Sequence, residues 1–239
     1  MPSPRLITRL MEVIWEYRVL LFTGTAVTIQ LALGSLLLSV VLGLLGATAK
    51  LAQNPVSRRM ANAYTTLVRG VPDLVLMMLL FYGGQQILND LGTATGLWNY
   101  VAISQLTAGI GSIGFVFGAY MTETFRGAIL AIPRGQIEAA VACGMTPLTV
   151  FSRIIWPQMV RHALPSFTNN WLVLVKATAL VSVIGLHDLV WNASTAGRSV
   201  REPFTFMFAV LVIYLILTAV SDVGLRWLER KYNVGFRRT

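Results

Sequence analysis

The chain has one cysteine, Cys143, two histidines and few charges: only 12% of its 239 residues are Asp, Glu, Lys or Arg. A single cysteine excludes an intramolecular disulfide and any multi-cysteine metal site. His162 and His187 lie far apart and lack carboxylate companions at ligand spacing, which argues against a metal or acid–base centre built on them. The dipeptide Gly-Lys occurs nowhere, so a G-x4-GK[ST] phosphate loop is excluded. Charge is also missing in long blocks, with none from Val19 to Ala49, from Leu91 to Thr122 or from Pro203 to Ser221. About 20 apolar residues cross a ~30 Å hydrocarbon core as a helix, so these blocks read as membrane spans.

What is present fits an integral membrane protein. Apolar residues make up 55% of the chain, above the soluble average of roughly 45–50%. The first apolar run starts late, is longer than a signal core and lacks a clean small-x-small cleavage site, so it is not expected to be a cleaved signal. Five spans are expected, at 19–49, 63–88, 102–124, 165–187 and 204–228, preceded by an N-terminal segment 1–18. In the second, Pro72 lies close enough to the start to be tolerated or to kink it. The fourth is interrupted by Lys176.

The net charge of +9 raises nucleic acid as a partner, but its distribution argues otherwise. If the loop after the first span is cytoplasmic, thirteen basic residues fall inside and five outside, with Lys176 left in the membrane. The positive-inside rule then places the N-terminus outside and the C-terminus in the cytoplasm. Leu6, Leu10, Val13, Ile14 and Tyr17 fall near helical spacing, as in an interfacial helix or merely a frayed terminus.

On that topology the longest inner loop is 133–158, "PRGQIEAAVACGMTPLTVFSRIIWPQ". Pro133, Arg134 and Gly135 break away from the third span, and alanines favour a short helix up to Cys143. Gly144 suits a left-handed C′ position, Thr146 an N-cap and Pro147 the first helical position behind it. A second short helix with Phe151, Ile154 and Ile155 on one face follows, which Pro157 is expected to end or kink.

Glu138-Ala139-Ala140, three residues, Gly144, nine residues, then Ile154-x-Trp156-Pro157 resembles the EAA loop of ABC-importer permeases, E-A-A-x3-G-x9-I-x-L-P. The one departure is Trp156 in place of leucine. The resemblance extends through 64–84, 118–140, 163–190 and 228–235, which look like the polar (basic) amino acid permease family and its Q-type subunits. It implies an all-α type I importer permease with a cytoplasmic coupling helix–turn–helix. Glu138, Ala139, Ala140, Gly144, Arg153 and Pro157 would then contact an ATPase.

The resemblance also implies the partners: a homologous M-type permease, two ATP-binding subunits and a periplasmic amino-acid-binding protein. ATP and Mg would belong to the ATPase subunits, with no cofactor on this chain. The expected substrate is a basic amino acid such as histidine, arginine, lysine or ornithine, with opines or other polar amino acids as the nearest alternative. From other classes, a stand-alone carrier or channel is disfavoured because five spans leave no even pair of inverted repeats. An integral-membrane enzyme is disfavoured because no nucleophile–base or metal constellation is visible.

Polar groups at membrane depth are costly and point to function. The path candidates are Asn169, Asn170 and Lys176 on the fourth span, with Arg69, Asp73 and Glu123 nearer the inner side. The resemblance places glutamate at Asn170 and aspartate at Ala177 in many family members, so the carboxylate for a cationic substrate would come from the partner permease. Lys176 would face the substrate carboxylate, or snorkel, or pair with the partner. Arg69 and Asp73 are four apart and Glu123 and Arg126 three apart, so each pair is expected to meet across one helical turn.

Overall fold

A computed structural model describes residues 12–232. The expectations for Leu6, Leu10 and the tail after Tyr232 lie outside these residues. Residues 12–16 are helical, Tyr17 forms a turn, and α1 (Arg18–Leu51) follows. At ~1.5 Å per residue a helix of this length exceeds a ~30 Å hydrocarbon core.

Asn54 caps α2 (Pro55–Gly70), its side chain accepting from Val56 N–H at 2.9 Å, with Pro55 at the first position. This helix stops where the sequence reading expected the second span to continue. Val71 is extended (φ −109°, ψ 141°), the conformation that the ring of Pro72 imposes on the preceding residue. Chain 63–88 is therefore two helices, α2 and α3 (Asp73–Thr95). Arg69 and Asp73 belong to different helices, so the expected pairing across one turn has no turn to span.

Next is α4 (Gln105–Leu130), whose Ile113, Val116, Phe117, Ala119, Met121 and Thr122 are buried. Then come α5 (Arg134–Ala142) and α6 (Pro147–Val150), a π-helical turn over Phe151–Ile155, and α7 (Trp156–Ala177). A 3-10 stretch, Thr178–Ile184, closes on Gly185 at φ 86°. The last two helices are α8 (Leu189–Ser199) and α9 (Pro203–Tyr232).

Pro157 does not end the coupling loop's second helix. The wide turn before it directs the Trp156 N–H to Phe151 O, five residues back, which leaves room for a proline ring and requires no donor from it. The loop and the expected fourth span are consequently one helical rod, Pro147–Ile184.

Among the described residues four helices are long and apolar enough to cross a membrane: Arg18–Leu51, Asp73–Thr95, Pro147–Ile184 and Pro203–Tyr232. The expected span at 102–124 became α4, which has the length but is diluted by glycine, serine and threonine. A helix whose surface is largely covered by protein does not need a lipid-facing coat.

The chain forms two compact units. One comprises 12–35, Asp73–Ile113 and Leu174–Val220. Its core is Leu21, Leu189, Ala193, Ala196, Phe206 and Val210, with Tyr17 meeting Phe206 edge-on at 5.4 Å. The other comprises Leu36–Pro72, Gly114–Val173 and 221–232, around Ala47, Met121, Phe125, Ala128, Ile132, Met159 and Ala163. In this second unit α1 and α4 pack through glycines on both sides: Gly43 faces Met121, Gly46 faces Thr122, Gly114 faces Leu38 and Gly118 faces Leu42.

In the first unit, buried Asp188 caps α8, its Oδ1 accepting from Trp191 N–H at 2.8 Å. Its Oδ2 has no hydrogen-bond partner among the described residues, and burial pushes the carboxyl pKa up to about 6. A carboxyl whose pKa is higher folded than unfolded binds its proton more tightly when folded, so it favours folding at low pH and loses that contribution as pH rises towards 6. Asp188→Asn keeps a capping oxygen without the charge. The expected outcome is a variant matching the wild type below about pH 3.8 and increasingly more heat-stable than it as pH rises to 6, as measured by thermal unfolding of the purified protein.

Candidate functional site

Three helices of the second unit surround an open polar cavity of about 470 Å³. From the last turn of α2 comes Arg69; from α4 come Tyr120, Glu123 and Thr124; from α7 come Pro165, Ser166, Asn169 and Asn170. On α4 and α7 the spacings follow the helical repeat, so each of these two helices presents one largely polar stripe to the cavity. Cross-links hold the walls: Tyr64 donates to Phe115 O at 2.6 Å, fixing α2 on α4, and Asn170 Nδ2 donates to Thr124 Oγ1 at 3.0 Å, fixing α7 on α4.

The charges are arranged unequally. The Glu123 carboxylate is in ion-pair contact with Lys50 Nζ, and Arg126 Nε lies 3.1 Å from its other oxygen. Lys50, in the last turn of α1, is almost fully buried, its side chain 8% exposed. Arg69 instead lies over the ring of Tyr120, its guanidinium carbon 5.5 Å from the ring centroid.

Of the six path candidates, Arg69, Glu123, Asn169 and Asn170 come together here. Lys176, exposed in the last turn of α7, and Asp73, in the first turn of α3, do not line this cavity. The sequence reading missed Lys50, Tyr120, Thr124 and Ser166. From sequence Lys50 is only a positive charge beyond an apolar run. Its being the first charge after such a run was a usable signal, but a partner 73 residues away is set by packing.

The loop at 133–158 forms a second candidate site. Its first helix ends at Gly144 (φ 77°), with Met145 N–H donating to Ala140 O at 3.1 Å and Gly144 N–H to Val141 O at 2.9 Å. This is a Schellman ending, which requires a left-handed residue there. Thr146 caps α6 with Pro147 at its first position, and Gln158 Nε2 donates to Gln136 Oε1 at 2.7 Å, tying α5 to the start of α7. Ala140 is buried, whereas Glu138, Ala139, Arg153 and Pro157 are exposed. Apolar side chains are exposed as well, Val141 by 59% and Leu148 by 77%. Trp156 leans on Phe151 at 6.1 Å between ring centroids and lines an apolar cavity of about 190 Å³ with Leu44, Phe125, Met159 and Leu228.

The described residues thus pair a polar cavity, one wall of which belongs to a membrane-length helical rod, with a two-helix elbow at the start of that rod. Residues 39–234 match the family described as the binding-protein-dependent transport system inner membrane component. The chain belongs to that family. It is an all-α, multi-pass integral membrane protein and a transport component rather than an enzyme.

It is 52% identical over 215 residues to the histidine/lysine/arginine/ornithine transport system permease protein HisQ of Escherichia coli (strain K12), covering 90% of this chain and 94% of that one. It is 38% identical over 224 residues to the octopine transport system permease protein OccQ of Rhizobium radiobacter, covering 94% of each. Among solved structures, an amino acid ABC transporter crystallised with histidines matches with a TM-score of 0.77 at 28% identity, over 91% of this chain and 96% of that one. The MetNI methionine ABC transporter shares the fold, with a TM-score of 0.73 at 21% identity, over 91% and 98%.

Removing one partner of a half-buried charge pair leaves the other poorly solvated. Lys50→Met is therefore expected to lower stability by roughly 1–3 kcal/mol, and Lys50→Met/Glu123→Gln to recover most of the loss. Thermal denaturation of the purified family member checks this; a single variant as stable as wild type would make the pair dispensable.

Proposed function

We propose that this chain is the transmembrane permease subunit of an ATP-driven importer for basic L-amino acids: histidine, arginine, lysine and ornithine. The observation that carries this reading is 52% identity, over nine-tenths of the chain, to a permease whose name states those substrates. The chain forms half of a translocation path with a homologous M-type permease. Two ATP-binding subunits dock on the cytoplasmic side, and a periplasmic binding protein delivers the substrate. ATP and Mg bind the ATPase subunits, and this chain holds no cofactor. The N-terminus faces the periplasm and the C-terminus the cytoplasm of a bacterial inner membrane.

The elbow 133–158 couples the two halves of the machine. Glu138 and Arg153 offer charge to the ATPase surface, Ala139 allows close approach, buried Ala140 seats α5 on its own chain, and Gly144 sets the angle between the helices. Pro157 sits where the elbow joins α7. Because that junction is unbroken helix, a displacement of α6 is carried along backbone hydrogen bonds to Pro165–Asn170, the α7 wall of the polar cavity. Substrate passes along that wall, which offers the amides of Asn169 and Asn170 beside Arg69 and Glu123. The carboxylate that meets the cationic side chain is the partner permease's.

Reconstitution of the complete importer tests the reading: uptake of labelled arginine and histidine is expected to require ATP and all subunits. Uptake by this chain alone would refute it, and uptake of octopine in preference to arginine would move the substrate to the opines. Glu138→Lys reverses a charge at the contact, and Gly144→Pro forbids the left-handed turn, since proline is held near φ −65°. Both variants are expected to insert normally and to lose at least about tenfold of ATP-driven uptake, a loss that corresponds to ~1.4 kcal/mol of coupling.

A further inference from the structure

The polar cavity contains one charge that is already paired and one that is not. Lys50 and Arg126 take both oxygens of Glu123, so this carboxylate has little attraction left for a passing cation. Among the described residues no carboxylate pairs with Arg69, and its side chain is exposed. Its ring contact is with Tyr120, the guanidinium carbon standing over the ring at 5.5 Å from the centroid. A cation–π contact holds the cation beside the ring without needing hydrogen bonds from its N–H groups. A guanidinium carries parallel donors that fit a carboxylate two at a time.

Everything else presented by this wall is neutral: the hydroxyls of Thr124 and Ser166 and the amides of Asn169 and Asn170. The unspent charge of the cavity is therefore positive. It attracts an anionic group and repels a guanidinium, ammonium or imidazolium. A volume of about 470 Å³ lies within the ~300–1,000 Å³ range of small-molecule sites.

We propose that Arg69 binds the α-carboxylate of the transported amino acid, with Tyr120 as the residue that positions it. The substrate thereby enters this wall carboxylate-first, and its cationic side chain points away from this subunit. The inference rests on the reading of the chain as an amino acid importer subunit. It assigns to Arg69 the part that sequence reading offered to Lys176, because Arg69 lines the cavity and Lys176 does not.

Binding to the assembled permease–ATPase complex in nanodiscs, without the periplasmic protein, isolates the membrane site. L-arginine and L-argininamide, whose carboxylate is replaced by a neutral amide, are titrated separately. The wild type is expected to bind arginine about tenfold more tightly than argininamide, the size of a charge-assisted hydrogen-bonding contact. Arg69→Gln should weaken arginine by about tenfold and leave argininamide within about twofold, and Arg69→Lys should fall between. A neutral amide loses the charge-assisted part of a contact with Arg69, so equal weakening of both ligands marks a structural role and overturns the proposal. Unchanged binding of both also overturns it. A wild-type complex that binds neither ligand refutes the basic amino acid reading itself, whereas one that binds arginine without the Arg69 effect refutes only this assignment.

Discussion

Where the second half of α1 meets α4 there is no room for side chains on the facing positions. A Cβ at Gly43 would stand 2.5 Å from that of Met121, and one at Gly114 would stand 2.6 Å from Leu38. Between helices in hydrocarbon no hydrophobic gain is available from contact, so close van der Waals packing through small residues has to hold them. Here the small residues alternate between partners, and the two backbones run close over several turns. That approach brings Lys50, at the end of α1, onto Glu123 of α4. The pairing removes a negative charge from the cavity wall, and the positive character left by Arg69 follows from it. A packing constraint in the bundle thus sets the sign of the site.

The elbow obeys a different logic. Its shape is fixed within a few residues of chain by a Schellman ending at Gly144, a threonine cap and a proline at a first helical position. Such a motif folds locally, yet it exposes Val141, Leu148, Phe151 and Trp156. These apolar side chains stand exposed next to the charges of Glu138 and Arg153. Trp156, the departure from the family's leucine, stands between the elbow and the core of its unit. It leans on Phe151 and also covers the apolar cavity beside Met159.

The π-helical turn at Phe151–Ile155 joins these two regions. One extra residue in the turn absorbs Pro157, and the rod continues from the elbow into the wall of the cavity. Irregular turns of this kind recur at functional sites because they shift the register of everything beyond them. In this chain the shift lets a proline stand at the junction without severing it.

Much of this was legible beforehand. Uncharged runs long enough to cross hydrocarbon required helices, since a spanning backbone must satisfy its own hydrogen bonds. The EAA spacing, the cap at Thr146 and the left-handed Gly144 were readable because they depend on neighbours in sequence. The two prolines show what local pattern leaves open: Pro72 reads as tolerated or kinking, and Pro157 as ending or kinking a helix. At Pro72 an extended Val71 ends α2, whereas at Pro157 a wide turn carries the helix through. The site residues divided in the same way. Glu123 and Arg126 sit three apart on one helix and meet, but Lys50 and Glu123 meet only because glycines let two helices approach. By itself the sequence determined the helical class, the elbow and the family, all of which rest on local pattern. Only the tertiary structure decided which polar residues share a cavity and which charge there remains free, because both depend on distances between helices remote in the chain.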